Sequence, residues 1–155
     1  MKNYNDVLVV IVLNANEPGD ELITAAAKMA AGLIHRLNPQ NAGFIDFVDG
    51  DGMIHHRVSS LPIQIKAAEG SESIRQLRRA ALRTHGVLTT DFVRSMDENI
   101  IRGTPYETAL PHDSQLEYRG LCLAGRTDVI EDLTRQFRSW TRAVQPRGSL
   151  VVNWP

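Results

Sequence analysis

Apolar positions along this chain fall into blocks whose period changes from block to block. Residues 7–13 (VLVVIVL) are a short, continuous, β-branched run. Such a run lacks the polar alternation of a half-exposed strand, so it predicts a central strand covered by helices on both faces. Residues 14–19 (NANEPG) break it. From about residue 20 to 37 the period becomes helical, with Leu22, Ile23, Ala26, Ala30, Leu33 and Leu37 on one stripe. The alanines there let helix and sheet approach closely, and Asn38-Pro39 stops the helix. Residues 43–48 and 53–58 are strand-like, and Asp51-Gly52 between them predicts a two-residue hairpin turn with positive φ at both positions. Residues 61–67 read as another extended segment.

Ser71 is placed to cap a helix running to about Thr84, with Gly86 near its end. Residues 87–92 and 116–124 predict strands. Between them, residues 96–115 are divided by Pro105 and Pro111 and show no clear period. Thr127 is placed to cap a helix whose apolar stripe is Ile130, Leu133 and Phe137. Strands alternating with helices make this an α/β layered domain with a mixed sheet.

Composition narrows the class. A chain of 155 residues favours one domain with a core large enough to fold alone. Lys+Arg 17 against Asp+Glu 18 gives a net charge of -1, so no global excess draws it toward nucleic acid or anionic membrane. The single cysteine, Cys122, cannot form an internal disulfide, which fits a reducing compartment. The run at 7–13 is too short to span a bilayer and no cleavage site follows it, so a cytoplasmic protein without membrane contact is expected.

Candidate chemistry begins at "DGDGMIHH", residues 49–56. A calcium loop starting at Asp49 needs glycine at its sixth position and glutamate at its twelfth, where Ile54 and Ser60 stand. His55 and His56 are neighbours on a strand and point to opposite faces, so they do not share a zinc ion. No metal is expected, and the stretch reads as a hairpin turn with one histidine free to face a cleft. Cys122 in "GLCLAG" reads as a buried, inert thiol. No serine-hydrolase elbow, P-loop or dinucleotide fingerprint is present. Arg75, Arg78, Arg79 and Arg83 share one helix face and form a candidate phosphate-binding stripe. The competing and favoured reading is a solvated face partly compensated by Glu69 and Glu72. Asp91 ends an apolar strand, where open α/β sheets place ligands. With Arg94, Ser95 and the hairpin's His55 it makes the candidate ligand site.

Three segments, "FVDGDGMIHHRVSSLPIQIKAA", "HGVLTTDF" and "LEYRGLCLAGRTDVIEDLTRQF", resemble domain-of-unknown-function family 2000, a bacterial family grouped with the type II peptidyl-tRNA hydrolase fold. The resemblance runs from residue 7 to about 137. It implies a three-layer α/β/α domain with a small mixed sheet. In the natural register, Leu22, Ala26 and Met29 replace the lysine, glutamine and histidine of those hydrolases. Asp91, Arg94 and Ser95 fall on their later D-x-G-R-T-Q motif, with Met96 in place of the glutamine. Ester hydrolysis needs positioned acid, base and donor groups. The implied function is therefore a non-hydrolytic domain that binds a small ligand or a protein. The alternatives are hydrolysis of an aminoacyl or peptidyl ester and a structural homodimeric module. The expected partner is a second copy of the chain. A small-molecule ligand is the next expectation and tRNA is less favoured; no cofactor is implied. Residues 1–145 form the expected domain. The apolar tail, 146–155, packs on it or on a partner, with Val151 and Trp154 buried.

Overall fold

The computed structural model describes residues 6–101 and 110–140. Strand β1 (Val7–Asn14) leads into helix α1 (Gly19–Arg36), followed by strands β2 (Phe44–Val48), β3 (Ile54–Ser59) and β4 (Ile63–Ala68). Helix α2 (Ser71–Leu82), strand β5 (Leu88–Val93), helix α3 (Arg94–Ile101), strand β6 (Tyr118–Arg126), helix α4 (Thr127–Leu133) and the short β7 (Arg138–Ser139) complete the order. Five strands form a mixed sheet in the order β5-β6-β1-β4-β7, while β2 and β3 form a separate two-stranded ribbon. β1 lies in the middle, parallel to β4 and antiparallel to β6, as its uninterrupted apolar run requires.

The two faces of β1 feed two cores. Val9, Ile11 and Leu13 pack with Leu22, Ala25, Met29 and Leu33 of α1. Leu8, Val10 and Val12 pack with Ile74, Leu77 and Ala81 of α2 and Ile130 of α4. The sheet is thus layered between α1 on one side and α2 with α4 on the other. Each large α1 side chain taken out of water contributes about 2 kcal/mol. Close approach of α1 also depends on Gly120 on β6, where an added Cβ would lie 2.7 Å from Met29 Cε and 2.9 Å from Val12 O.

Some local expectations change. Ile23 is not on the buried stripe and is 74% exposed, because the face that meets the sheet is set by Leu22, Ala25, Met29 and Leu33. The hairpin forms, but its turn is longer than two residues. Asp49 O accepts from Gly52 N at 3.1 Å, Asp49 N donates to Met53 O at 3.0 Å, and only Gly52 (φ 80) has positive φ in the turn. This is a three-residue loop with an αL glycine, pinned by Asp49 Oδ1, which accepts from Asp51 N and Met53 N at 2.9 Å each. Ser71 does not cap α2: Gly70 (φ 112) holds the cap position, and Ser71 Oγ instead accepts from Tyr118 N at 2.9 Å. Thr127 opens α4 rather than capping it, and Phe137 lies beyond that helix yet packs into its core. Residues 96–101, the start of the stretch with no clear period, belong to α3 (Arg94–Ile101). The tail expectation, with Val151 and Trp154, falls outside the described residues. Among the described residues no helix is long and apolar enough to cross a membrane.

Candidate functional site

β1 and β4 end side by side at Asn14 and Ala68, β5 ends nearby and runs straight into α3, and β6 enters between β1 and β5. The carboxyl ends of parallel strands are where open α/β sheets hold ligands. Asn14, 3% exposed, fixes this corner: its Nδ2 donates to Tyr118 O at 2.9 Å, and its Oδ1 accepts from Asn16 N at 3.1 Å.

A charged network covers the α1 side of this end. Arg119 is 5% exposed. Its Nη2 lies 2.7 Å from Glu21, and its Nη1 donates to Asp97 Oδ2 at 2.8 Å. Arg94 Nη2 donates to both oxygens of Glu17, at 3.0 and 3.1 Å, and its Nη1 lies 2.6 Å from Glu117. Lys28 donates to Asp97 Oδ1 at 3.1 Å. A buried guanidinium without counter-charge would be strongly unfavourable, so these carboxylates are what allow Arg119 to sit there. Its Nε is still without a hydrogen-bond partner, 3.9 Å from Glu17. The hydrogen bond from Arg119, then that from Lys28, holds Asp97 below the usual carboxylate range, and bonded Glu17 raises Arg94 further. Beside the network, Arg94, Ser95, Glu98, Pro111, Gln115 and Glu117 line a cleft of about 180 Å³. Glu98 has no ion-pair partner among the described residues.

Asp91 belongs to a different cluster, on the α2 side of the sheet. It accepts from Arg78 Nε at 3.1 Å. Arg79 Nη2 donates to Asp113 at 2.8 Å, and the Tyr118 hydroxyl donates to the same carboxylate at 2.7 Å. Arg75, 7% exposed, donates to the carbonyls of Asp113 and Leu116 and pairs with Glu72. Three of the four stripe arginines therefore hold α2 against β5 and the segment before β6, and Arg83 alone stays exposed and unpaired among the described residues. Burial first, then the bond to Asp113, pushes Tyr118 up to about 12.

The candidate residues are thus distributed. Arg94 and Ser95 share the cleft, whereas Asp91 turns to α2. His55 stands on the hairpin, its Nε2 3.0 Å from Asp49 Oδ2, while His56 lies 4.0 Å from Asp46. The two histidines address different aspartates, and among the described residues no three potential metal ligands cluster. Cys122 is fully buried, and burial pushes its thiol up to about 12, consistent with an inert group. No sequence motif marks Glu17, Glu21, Lys28, Asp97 or Arg119. Their one signal is Arg119 itself, a charge at the head of an apolar strand, which demands counter-charges if buried.

The model of the family described as protein of unknown function (DUF2000) matches residues 8–141. The chain belongs to that family. The fold is also similar to the structure of a protein of unknown function from Agrobacterium tumefaciens, with a TM-score of 0.70 over 88% of this chain and 98% of that one. At 13% identity, this likeness is one of fold. No curated protein matches the chain. The family expected from the three sequence segments is borne out, and it carries no named activity.

Proposed function

We propose that this chain is a non-hydrolytic binding domain of the type II peptidyl-tRNA hydrolase-like fold, and that it takes a small, positively charged molecule in the cleft beside Arg94 and Ser95. The single observation that carries the reading is the charge balance at the strand ends. Arg94, Arg119 and Lys28 face Glu17, Glu21, Asp97 and Glu117, all within the ion pairs described, and Glu98 adds a carboxylate with no ion-pair partner among the described residues. Among the described residues, carboxylates outnumber cations around a cleft that also offers Ser95 and Gln115 as polar partners. An amine or guanidinium group is the complement of such a lining. At about 180 Å³ the cleft suits a ligand of few heavy atoms, smaller than the drug-sized sites of typical pockets.

The layered mixed sheet supports the fold part of the proposal. Hydrolysis is less well supported. Leu22 and Met29, which stand in the register of a lysine and a histidine, are 1% and 2% exposed and pack in the core. Asp91, the remaining carboxylate of the motif, is held by Arg78.

Thermal-shift and calorimetric titration with a panel of small mono- and diamines at low salt tests the reading. Saturable binding that weakens at least tenfold in Glu117→Gln and in Glu98→Gln is expected. Binding confined to anionic or neutral compounds, or peptidyl-tRNA turnover that disappears in Asp91→Ala, would replace it.

A further inference from the structure

One buried donor is left over at the strand ends. Arg119 is 5% exposed, and two of its nitrogens are engaged, Nη2 with Glu21 at 2.7 Å and Nη1 with Asp97 at 2.8 Å. Its Nε, also buried, has no hydrogen-bond partner among the described residues and lies 3.9 Å from Glu17 Oε2. A buried N–H without an acceptor is unfavourable, and native proteins leave few of them. The acceptor it lacks is near but engaged: Arg94 Nη2 donates to both oxygens of Glu17, at 3.0 and 3.1 Å. Glu17 is itself 8% exposed, so it stands between two guanidinium groups and serves one of them. A movement of Oε2 by about 1 Å would bring it within hydrogen-bond distance of Arg119 Nε.

We propose that Arg94 is a built-in occupant of the cation position in the cleft, that a bound amine displaces it from Glu117, and that Glu17, released with it, closes on Arg119 Nε. This rests on the reading of the cleft as a site for small amines and adds how that site is regulated. Three features make Arg94 the group that moves. Its side chain is 45% exposed against 6% for Arg119, so of the two it has the path to water. Its backbone N–H donates to Glu117 O at 3.0 Å, which pins the main chain beside the carboxylate and leaves the swing to the side chain. It is also the first residue of α3, where the helix dipole opposes a positive charge. Arg94 Nη1 lies 2.6 Å from Glu117, and no other cation among the described residues pairs with that carboxylate. A guanidinium held between Glu17 and Glu117 thus stands where the charge of an amine ligand would go. Such a tethered competitor lowers apparent affinity by the fraction of time that it leaves the position open. When it swings away, the buried Glu17 still has Arg119 as a partner, and the half-exposed Glu117 is left to the ligand.

Calorimetric titration of the full chain with ethylenediamine and propylamine at low salt tests this. Arg94→Met, which keeps a long side chain and removes its charge, is expected to bind them at least tenfold more tightly than the natural chain. Adding Glu117→Gln to Arg94→Met is expected to remove that gain. Arginine side-chain nitrogen NMR of the natural chain gives a reading independent of any variant: as the diamine saturates the cleft, the Arg119 Nε–H should exchange more slowly with solvent and that of Arg94 faster. Equal or weaker binding by a folded Arg94→Met, a gain that survives Glu117→Gln, or an unchanged Arg119 Nε–H at saturation would each overturn the displacement and leave the amine site standing. Absence of binding by both the natural chain and Arg94→Met would remove the amine reading and the displacement together.

Discussion

Strand β1 buries Leu8 to Leu13 at 5% exposure or less, whereas β2 leaves Phe44, Ile45, Phe47 and Val48 40–67% exposed. Both are short apolar strands. They differ in what surrounds them: β1 has a paired strand on each side and helices above and below, while β2 has one partner strand and, among the described residues, joins neither core. Apolar composition selects strand geometry, but burial depends on neighbours supplied by distant parts of the chain. The sheet is stabilised within one chain, and the ribbon leaves apolar surface for something else to cover. Four measurements test this contrast.

The largest effect is expected at Gly120→Val. A Cβ there would sit 2.7 Å from Met29 Cε, 2.9 Å from Val12 O and 3.1 Å from Leu13 Cδ2. The methionine end can move, but the backbone carbonyl of the central strand cannot. Overpacking of this kind costs about 3 kcal/mol or more, measured as a lower denaturant midpoint or loss of folded protein. A variant as stable as the natural chain would show that α1 lifts freely from the sheet, and that the tight side of the contrast is loose.

Second in size is an alkaline transition tied to Tyr118. The chain has three tyrosines, and this one, fully buried beside Asp113, is pushed up to about 12. The folded chain therefore keeps a proton that the unfolded chain releases near pH 10. The stabilisation is fully present below pH 10 and is lost as pH rises toward 12, on the order of 2 kcal/mol in all. Absorbance at 295 nm should show one tyrosine ionising late, and Tyr118→Phe should flatten stability between pH 10 and 12. Normal titration of all three tyrosines would mean that this end of the sheet is as open as the ribbon.

Much of the fold is legible in sequence because its signals are local. The apolar run of β1, the helical stripe of α1 and the break at Asn38-Pro39 each fix an element without knowledge of the rest. The site is less legible. Arg94 and Ser95 come with the end of β5, but Glu17, Asp97 and Arg119 meet only after β6 has inserted between β1 and β5, and no local pattern records that topology. Asp91 and Arg94 are three residues apart and serve opposite sides of the sheet because β5 ends between them. The hairpin illustrates the same limit within five residues: glycine at 52 reveals positive φ, while the role of Asp49 as acceptor for two backbone N–H groups depends on the turn already being formed.

Gly52→Val probes that turn and is the third effect. At φ 80 an L side chain is strained, and nothing lies within 4 Å of the added Cβ, so the cost is conformational alone, about 1–2 kcal/mol. Gly52→Asn should recover part of it, because asparagine tolerates the left-handed region better. Equal stability of all three chains would show that the ribbon contributes nothing to global unfolding.

The smallest effect separates the two regions most directly. Met29→Ala removes a side chain that is 2% exposed and should cost about 2–5 kcal/mol. Phe47→Ala removes a larger side chain that is 55% exposed within the single chain. At concentrations low enough to keep copies apart, no cavity forms and no packed neighbour is lost, so the change in unfolding free energy should stay within about 0.5 kcal/mol. As concentration rises, the natural chain should gain stability by mass action if copies associate through the ribbon, and the variant should not. The gap between their melting temperatures then widens with concentration. A penalty comparable to that of Met29→Ala, independent of concentration, would mean that the ribbon packs on its own domain. The two regions would then be held together in the same way.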